Sequence, residues 1–226
     1  MQKKYRNEHK YFVKEADLRI LECKIKDICS IDSHAAAGKY SIRSVYLDTV
    51  DFRYYYENEA GTDPREKWRI RMYDYNAEYL SLECKVKYRT MTQKKSCFID
   101  KRSVEQILEG IWFPDIGRLT DLQREFYMKY ATFGLRPSVI VDYERVPYTY
   151  DIGNVRITFD KFLSGSKDFD SFWNPELCKI PILGKGTHVL EVKFDEMLPD
   201  YIKDSLQLGT LNRTSCSKYY LCKKYS

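Results

Sequence analysis

The sequence predicts an α+β fold: an eight-stranded antiparallel β-barrel with a polar, basic interior and helices around it. Three observations predict it. Apolar residues alternate with period two along most of the chain. Several alternating stretches carry arginine and lysine on their second face. Between them lie amphipathic segments of helical period, which can cover the apolar faces from outside.

The elements follow in order. Strands are expected over Tyr5–Val13, Tyr40–Leu47, Glu66–Asp74, Glu78–Tyr88, Lys94–Ile99, Ser138–Tyr150, Val155–Asp160 and Val189–Phe194. Asn76-Ala77 reads as a hairpin turn. Lys14–Lys26 spaces Leu18, Leu21 and Ile25 as a helix does. Ser103 is a candidate helix cap. Thr120–Phe133 reads as a longer helix ended by Gly134 and Pro137, and Pro199–Leu208 as a short one. Leu163–Gly186 mixes Gly, Ser, Pro and aromatics without period and reads as a long surface excursion. Nothing marks a domain boundary, so residues 1–226 are expected to form a single domain.

The charged faces are specific. In REKWRIRMYD, Arg65, Lys67, Arg69 and Arg71 share one face, with Trp68, Ile70 and Met72 on the other. Arg6, Glu8 and Lys10 share a face, as do Glu83, Lys85 and Lys87. Arg145 is in register with Tyr143. Arg156, Thr158 and Asp160 oppose Val155, Ile157 and Phe159, while Glu191 and Lys193 oppose Leu190, Val192 and Phe194. One solvated face is ordinary for an antiparallel sheet. Six strands bearing mostly cations, with outer helices covering the apolar side, turn the charge inward. Repelling cations cannot fill a barrel, because unpaired buried charge is very costly. An anion held inside answers this. Arginine forks and lysine charges suit phosphate oxygens, and the few carboxylates suit a divalent metal bridging phosphates.

Composition narrows the classes. The net charge of +5 is modest, so the placement of charge matters more than its sum. Seven cysteines and three histidines form no zinc pattern, which fits idle thiols in a reducing compartment. The N-terminal MQKKYRNEHK has no apolar core, and no stretch has the length of a membrane span; a cytoplasmic protein is expected. The inward cations, and the lack of an RNA-binding aromatic motif, argue against nucleic acid. His9 and His188 fall on apolar faces and are expected to be structural.

The segments RNEHKYFV, YSIRSVYLDT, KWRIRMYD, LECKVK with TQKKS, LRPSVIVDYERVPY, VRITFDKFL, VLEVKF and CSKYY, in this order over Tyr5 to Tyr220, resemble the polyphosphate polymerase (VTC) domain of the triphosphate tunnel metalloenzyme superfamily. The resemblance implies an eight-stranded tunnel, ATP as donor, inorganic polyphosphate as acceptor and product, and Mn²⁺ or Mg²⁺. It implies catalytic roles for Arg69, Arg71, Lys85, Arg145 and Arg156. It implies triphosphate contacts from Lys10, from Lys94 or Lys95, and from Tyr143, Ser217 and Lys218. Glu191, with Glu8, would hold the metal. Hydrolytic CYTH-type relatives carry E-x-E-x-K on the first strand; here Arg6 stands at the first acid, which favours a polymerase over a triphosphatase. A triphosphatase of the same fold and a non-catalytic binder of polyphosphate or inositol phosphates are the alternatives. Fungal relatives add an SPX domain and membrane spans, and neither is read in this chain.

Overall fold

The computed structural model describes residues 6–35, 37–89 and 91–226. In chain order the elements are β1 (Asn7–Lys14), α1 (Glu15–Ile25), β2 (Ser30–Ile31), β3 (Tyr40–Asp48), α2 (Arg53–Ala60), β4 (Arg65–Tyr73), β5 (Asn76–Tyr88), β6 (Met91–Phe98), α3 (Lys101–Glu109), α4 (Asp121–Phe133), β7 (Arg136–Tyr150), β8 (Val155–Ser166), β9 (Ile180–Pro181), β10 (Thr187–Phe194), α5 (Asp200–Ser205) and α6 (Lys218–Tyr225). The chain divides into two units. One takes in residues up to Ser41 with Tyr143–Ser164 and Pro181–Ser217; the other takes in Ile42–Asp142, Gly165–Ile180 and Lys218–Ser226. The main strands are the eight expected, and β2 and β9 are short additions.

In the first unit the strand order is β1-β10-β8-β7, with β1–β10 and β10–β8 antiparallel. Alternation puts Ile157 and Phe159 of β8 with Leu190 and Val192 of β10 on one face, where Leu18, Leu21 and Ile25 of α1 join the same core. His9 packs edge-on against Phe194, and buried His188 contacts Glu15 of α1, so both histidines lie on this apolar side.

In the second unit the order is β7-β3-β4-β5-β6. Trp68, Ile70 and Met72 of β4 and Leu80, Leu82 and Cys84 of β5 form its core with Phe126 and Tyr130 of α4. Phe126 lies between Trp68 and Trp112, with ring centroids at 5.3 and 5.5 Å. Truncating such a ring to alanine commonly costs about 3–5 kcal/mol. Thr120 and Gln123 close a reciprocal capping box on α4, and Gly134 ends the helix in the left-handed region at φ 62°. The seven thiols are unbridged. Burial pushes Cys29 up to about 11 and Cys84 up to about 12, so neither is a ready nucleophile. Among the described residues no helix is long and apolar enough to cross a membrane.

Several expectations are corrected. Tyr5 lies outside the described residues. The β4–β5 turn falls on Asp74 and Tyr75, both at positive φ, and Asn76 already pairs with Tyr73. A type I′ two-residue hairpin turn needs that conformation at both central positions. Asp100, not Ser103, caps α3: its carboxylate accepts from the Ser103 amide at 2.9 Å. The segment expected as a surface excursion is partly core, since β8 runs on to Ser166 and Phe172 and Leu177 are buried. Arg43 holds it. Its fully buried guanidinium donates to the carbonyls of Phe172 and Asn174 at 2.9 and 2.6 Å and pairs with Asp142 at 2.8 Å. Helices α2 and α6 were not anticipated. Asp48 accepts from the amides of Tyr54 and Tyr55 in the first turn of α2, and from the hydroxyl of Tyr219 on α6.

Candidate anion-binding faces

The second unit builds its charged face from three neighbouring strands. Antiparallel register places Lys67 opposite Lys85, and Lys85 opposite Lys94. Arg65 stands opposite Lys87, and Arg69 opposite Glu83. Directly opposed like charges destabilise a sheet. Glu83 is the local counter-ion and is 2% exposed. It accepts from Arg69 Nε and Nη2 at 2.7 and 2.5 Å, lies 3.2 Å from Lys94 Nζ and 3.8 Å from Arg71 Nη1. Burial alone would raise its pKa; Arg69, Arg71 and Lys94 outweigh that and hold the carboxyl far below the usual range. Arg69 is also tied by Nη1 to the Tyr46 hydroxyl at 2.8 Å, and Tyr46 stacks on Tyr219 at 5.0 Å. Its fork is therefore fixed in advance of any ligand.

This register decides between the two lysines of β6. Lys94 lies with Lys85 and Glu83 on the charged face. Lys95 stands opposite Cys84 on the other face and bonds Glu125 of α4 at 2.7 Å. The sequence left open which of Lys94 and Lys95 shares the charged face, and the register gives it to Lys94, because neighbouring residues of a strand point to opposite sides. Lys218 opens α6, the helix held by Tyr219 on Asp48 and by Tyr220 on Glu59 at 2.9 Å.

The first unit is arranged differently. Across β1, β10 and β8, register sets Glu8, Lys193 and Arg156 in one row, and Lys10, Glu191 and Thr158 in the next. Here each cation has a carboxylate. Lys10 bonds Glu8 at 2.7 Å and Lys193 bonds Glu191 at 2.5 Å. Arg156 pairs with Asp32 at 2.8 Å and donates to the Tyr40 hydroxyl at 3.2 Å. Arg145 grips Asp160 through Nε and Nη2 at 2.6 and 2.8 Å, with Tyr143 under its guanidinium at 5.4 Å. Burial disfavours the charge of Arg145, but Asp160 outweighs it and holds the group fully protonated. Lys10 also donates to the Cys216 carbonyl at 3.2 Å, which brings the stretch preceding Ser217 alongside β1. Arg6 is held outside these rows by Asp195 at 3.0 Å and by the carbonyl of Asn154.

Reading faces along single strands puts Arg69, Arg71 and Lys85 on one charged face and Lys10, Glu191 and Arg156 on another, as the register does. It does not pick out Glu83 and Asp160 as the counter-ions of these faces. Both were visible as acids on charged faces, but their partners lie on other strands, which alternation does not reveal.

A model of the VTC domain matches residues 5–225. The chain belongs to the VTC domain family. No curated protein matches the sequence. Among solved structures, the fold of this VTC domain is similar to that of a Bacillus halodurans protein described as an adenylate cyclase, with 13% identity, 96% of each chain covered and a TM-score of 0.56. It is also similar to the PH1819 protein from Pyrococcus horikoshii, with 13% identity, 98% of this chain and 100% of that one covered, and a TM-score of 0.52. A Hippeastrum adenylyl cyclase with a dominant triphosphatase activity matches at 11% identity, 97% and 95% coverage and a TM-score of 0.55. At these identities the likeness is one of fold, and it agrees with the tunnel fold expected from the sequence.

Proposed function

We propose that this VTC domain is a metal-dependent phosphotransferase that moves the terminal phosphoryl group of ATP onto a growing inorganic polyphosphate chain. The observation that carries the reading is the row Lys67–Lys85–Lys94 beside Arg69 and Arg71, where like charges face each other and Glu83 is the carboxylate that three cations share. Such a face suits a polyanion. Phosphoryl transfer requires positioning and charge stabilisation rather than a covalent nucleophile. Arg69, Arg71, Lys85, Arg145 and Arg156 neutralise the transferring group. Lys10, Lys94, Tyr143 and Ser217 hold the triphosphate, and Lys218 guides acceptor or product.

Glu8 and Glu191 are diagonal neighbours on β1 and β10. Among the described residues, no three His, Cys, Asp or Glu side chains gather as a metal cage. One or two carboxylates completed by substrate phosphates is the usual way Mg²⁺ is held, and Mn²⁺ shares its preference for oxygen ligands, so these residues fit an ion that arrives with the nucleotide. When bound, Mn²⁺ or Mg²⁺ would be held by Glu191 and Glu8 and would offset the charge of the phosphates. In Glu191→Gln, metal-dependent turnover is expected to be lost while the fold and metal-free phosphate binding persist; normal activity at low metal would remove Glu191 from this role.

The test of the function is incubation with ATP and Mn²⁺, with products run on a polyphosphate-staining gel. Long chains support the polymerase. Orthophosphate alone makes the protein a triphosphatase, and no turnover makes it a binder. Arg6 favours the first outcome: a cation engaged by Asp195 stands where hydrolytic relatives carry a carboxylate.

A further inference from the structure

Two buried donor atoms on one face of β8 have no hydrogen-bond partner among the described residues. Thr158 is 3% exposed, and its Oγ1 has no hydrogen-bond partner among the described residues. Neither has the buried Nε of Arg156, two positions earlier on the same face of β8. Buried polar atoms are almost always paired, and each exception asks for a reason. Apolar packing is not the reason a threonine stands here. The core side of β8 is supplied by Val155, Ile157 and Phe159, and a valine of the same shape at 158 would remove the orphan. Strand threonines often return the hydroxyl to a nearby polar atom, and this one does not.

Its neighbours define what a ligand must be. Thr158 lies in the row Lys10–Glu191–Thr158, and Arg156 in the row Glu8–Lys193–Arg156. The adjacent carboxylates are engaged: Asp160 accepts both bonds from Arg145, and Glu191 lies 2.5 Å from Lys193 Nζ. The two orphan groups, a hydroxyl and a guanidinium N–H, are both donors, and the guanidinium N–H can only donate. Two donors two residues apart on one strand face suit an oxygen-rich anion.

We propose that Thr158 is a further substrate-binding residue whose Oγ1, together with Arg156 Nε, donates to a phosphoryl oxygen of the bound polyanion. This rests on the polyanion reading above and adds to it a neutral hydroxyl that no charge pattern would select. The hydroxyl makes its bond only in the liganded protein. Two quantities that usually move together therefore separate when it is removed.

The experiment uses the full chain and sodium tripolyphosphate as probe, with affinity measured by calorimetry in EDTA and again with Mn²⁺. Unliganded melting temperature is recorded beside it. Thr158→Val is expected to bind about tenfold more weakly, the range for a hydrogen bond to a charged group. Its unliganded melting temperature should be unchanged or raised. Thr158→Ser, which keeps the hydroxyl, should bind within about threefold of the parent, less than the loss of that bond. Thr158→Ala repeats the comparison with a side chain that cannot crowd the site. Wild-type affinity in both hydroxyl-less variants overturns the proposal while leaving the polyanion reading intact. A lowered unliganded melting temperature in Thr158→Val also overturns it, because the hydroxyl would then be bonded within the free protein. Absence of tripolyphosphate binding by the wild-type chain under both conditions overturns the polyanion reading and this inference with it.

Discussion

The two charged faces solve one electrostatic problem in opposite ways. In the second unit Arg69, Arg71 and Lys94 share Glu83, and Lys67 and Lys85 stand opposed across β4 and β5. In the first, Arg145 has Asp160, Arg156 has Asp32, Lys10 has Glu8 and Lys193 has Glu191. The first face pairs its cations one to one with carboxylates. The second gathers Arg69, Arg71 and Lys94 around one shared carboxylate, Glu83.

The comparison is sharpest where pairing is deepest. Asp160 is fully buried and Arg145 nearly so. Asp160→Asn leaves the guanidinium without its charge partner and is expected to cost about 3–5 kcal/mol in a urea unfolding titration. A cost under about 1 kcal/mol, the range of exposed pairs, would mean that Arg145 is hydrated and the first face is less self-contained than described.

Turnover probes the other face. Arg71→Lys keeps charge and removes the planar fork. It is expected to turn over at least about tenfold slower, a lower bound for the loss of a transition-state donor, with a modest change in the KM for ATP. Near-normal kcat in the folded variant would reduce Arg69 and Arg71 to an electrostatic funnel.

Acid titration reads Glu83 directly. Its carboxyl is depressed below the ordinary value of 4.5 in the folded protein, so its contribution to stability is complete above that value and shrinks as pH falls. The stability gap between wild type and Glu83→Gln should therefore be constant near neutrality and narrow below about pH 4.5, the unfolded reference. Urea midpoints measured from pH 7 downward test this; a gap that widens in acid would show that Glu83 is not the shared counter-ion.

The smallest expected effect separates adjacent residues. Lys94→Met should weaken tripolyphosphate binding and flatten its salt dependence, because a charge facing the anion is lost. Lys95→Met should leave affinity unchanged and cost no more than about 1 kcal/mol of stability, as for a surface pair with Glu125. Equal affinity losses in the two variants would contradict the β5–β6 register.

Much of this protein was determined by local rules that a sequence states openly. Period-two alternation located all eight main strands, because side chains of a strand alternate faces whatever the strand pairs with. The same rule put Arg69, Arg71, Lys85, Lys10, Glu191 and Arg156 on charged faces, since facing is a property of one strand, while the roles expected of them came from the family resemblance. Helix α4 announced itself through Thr120 and Gly134, whose capping chemistry is local. Tertiary structure alone decided the rest, because it depends on which strand lies beside which. Register, not alternation, chose Lys94 over Lys95 and made Glu83 common to three cations. Arg43 reaching carbonyls more than a hundred residues away turned an aperiodic segment into core. Helices α2 and α6 needed Asp48, which receives the start of one and the Tyr219 hydroxyl of the other. The orphan hydroxyl of Thr158 belongs to this second class: a threonine is visible in any sequence, but whether its oxygen has a partner is a property of everything around it.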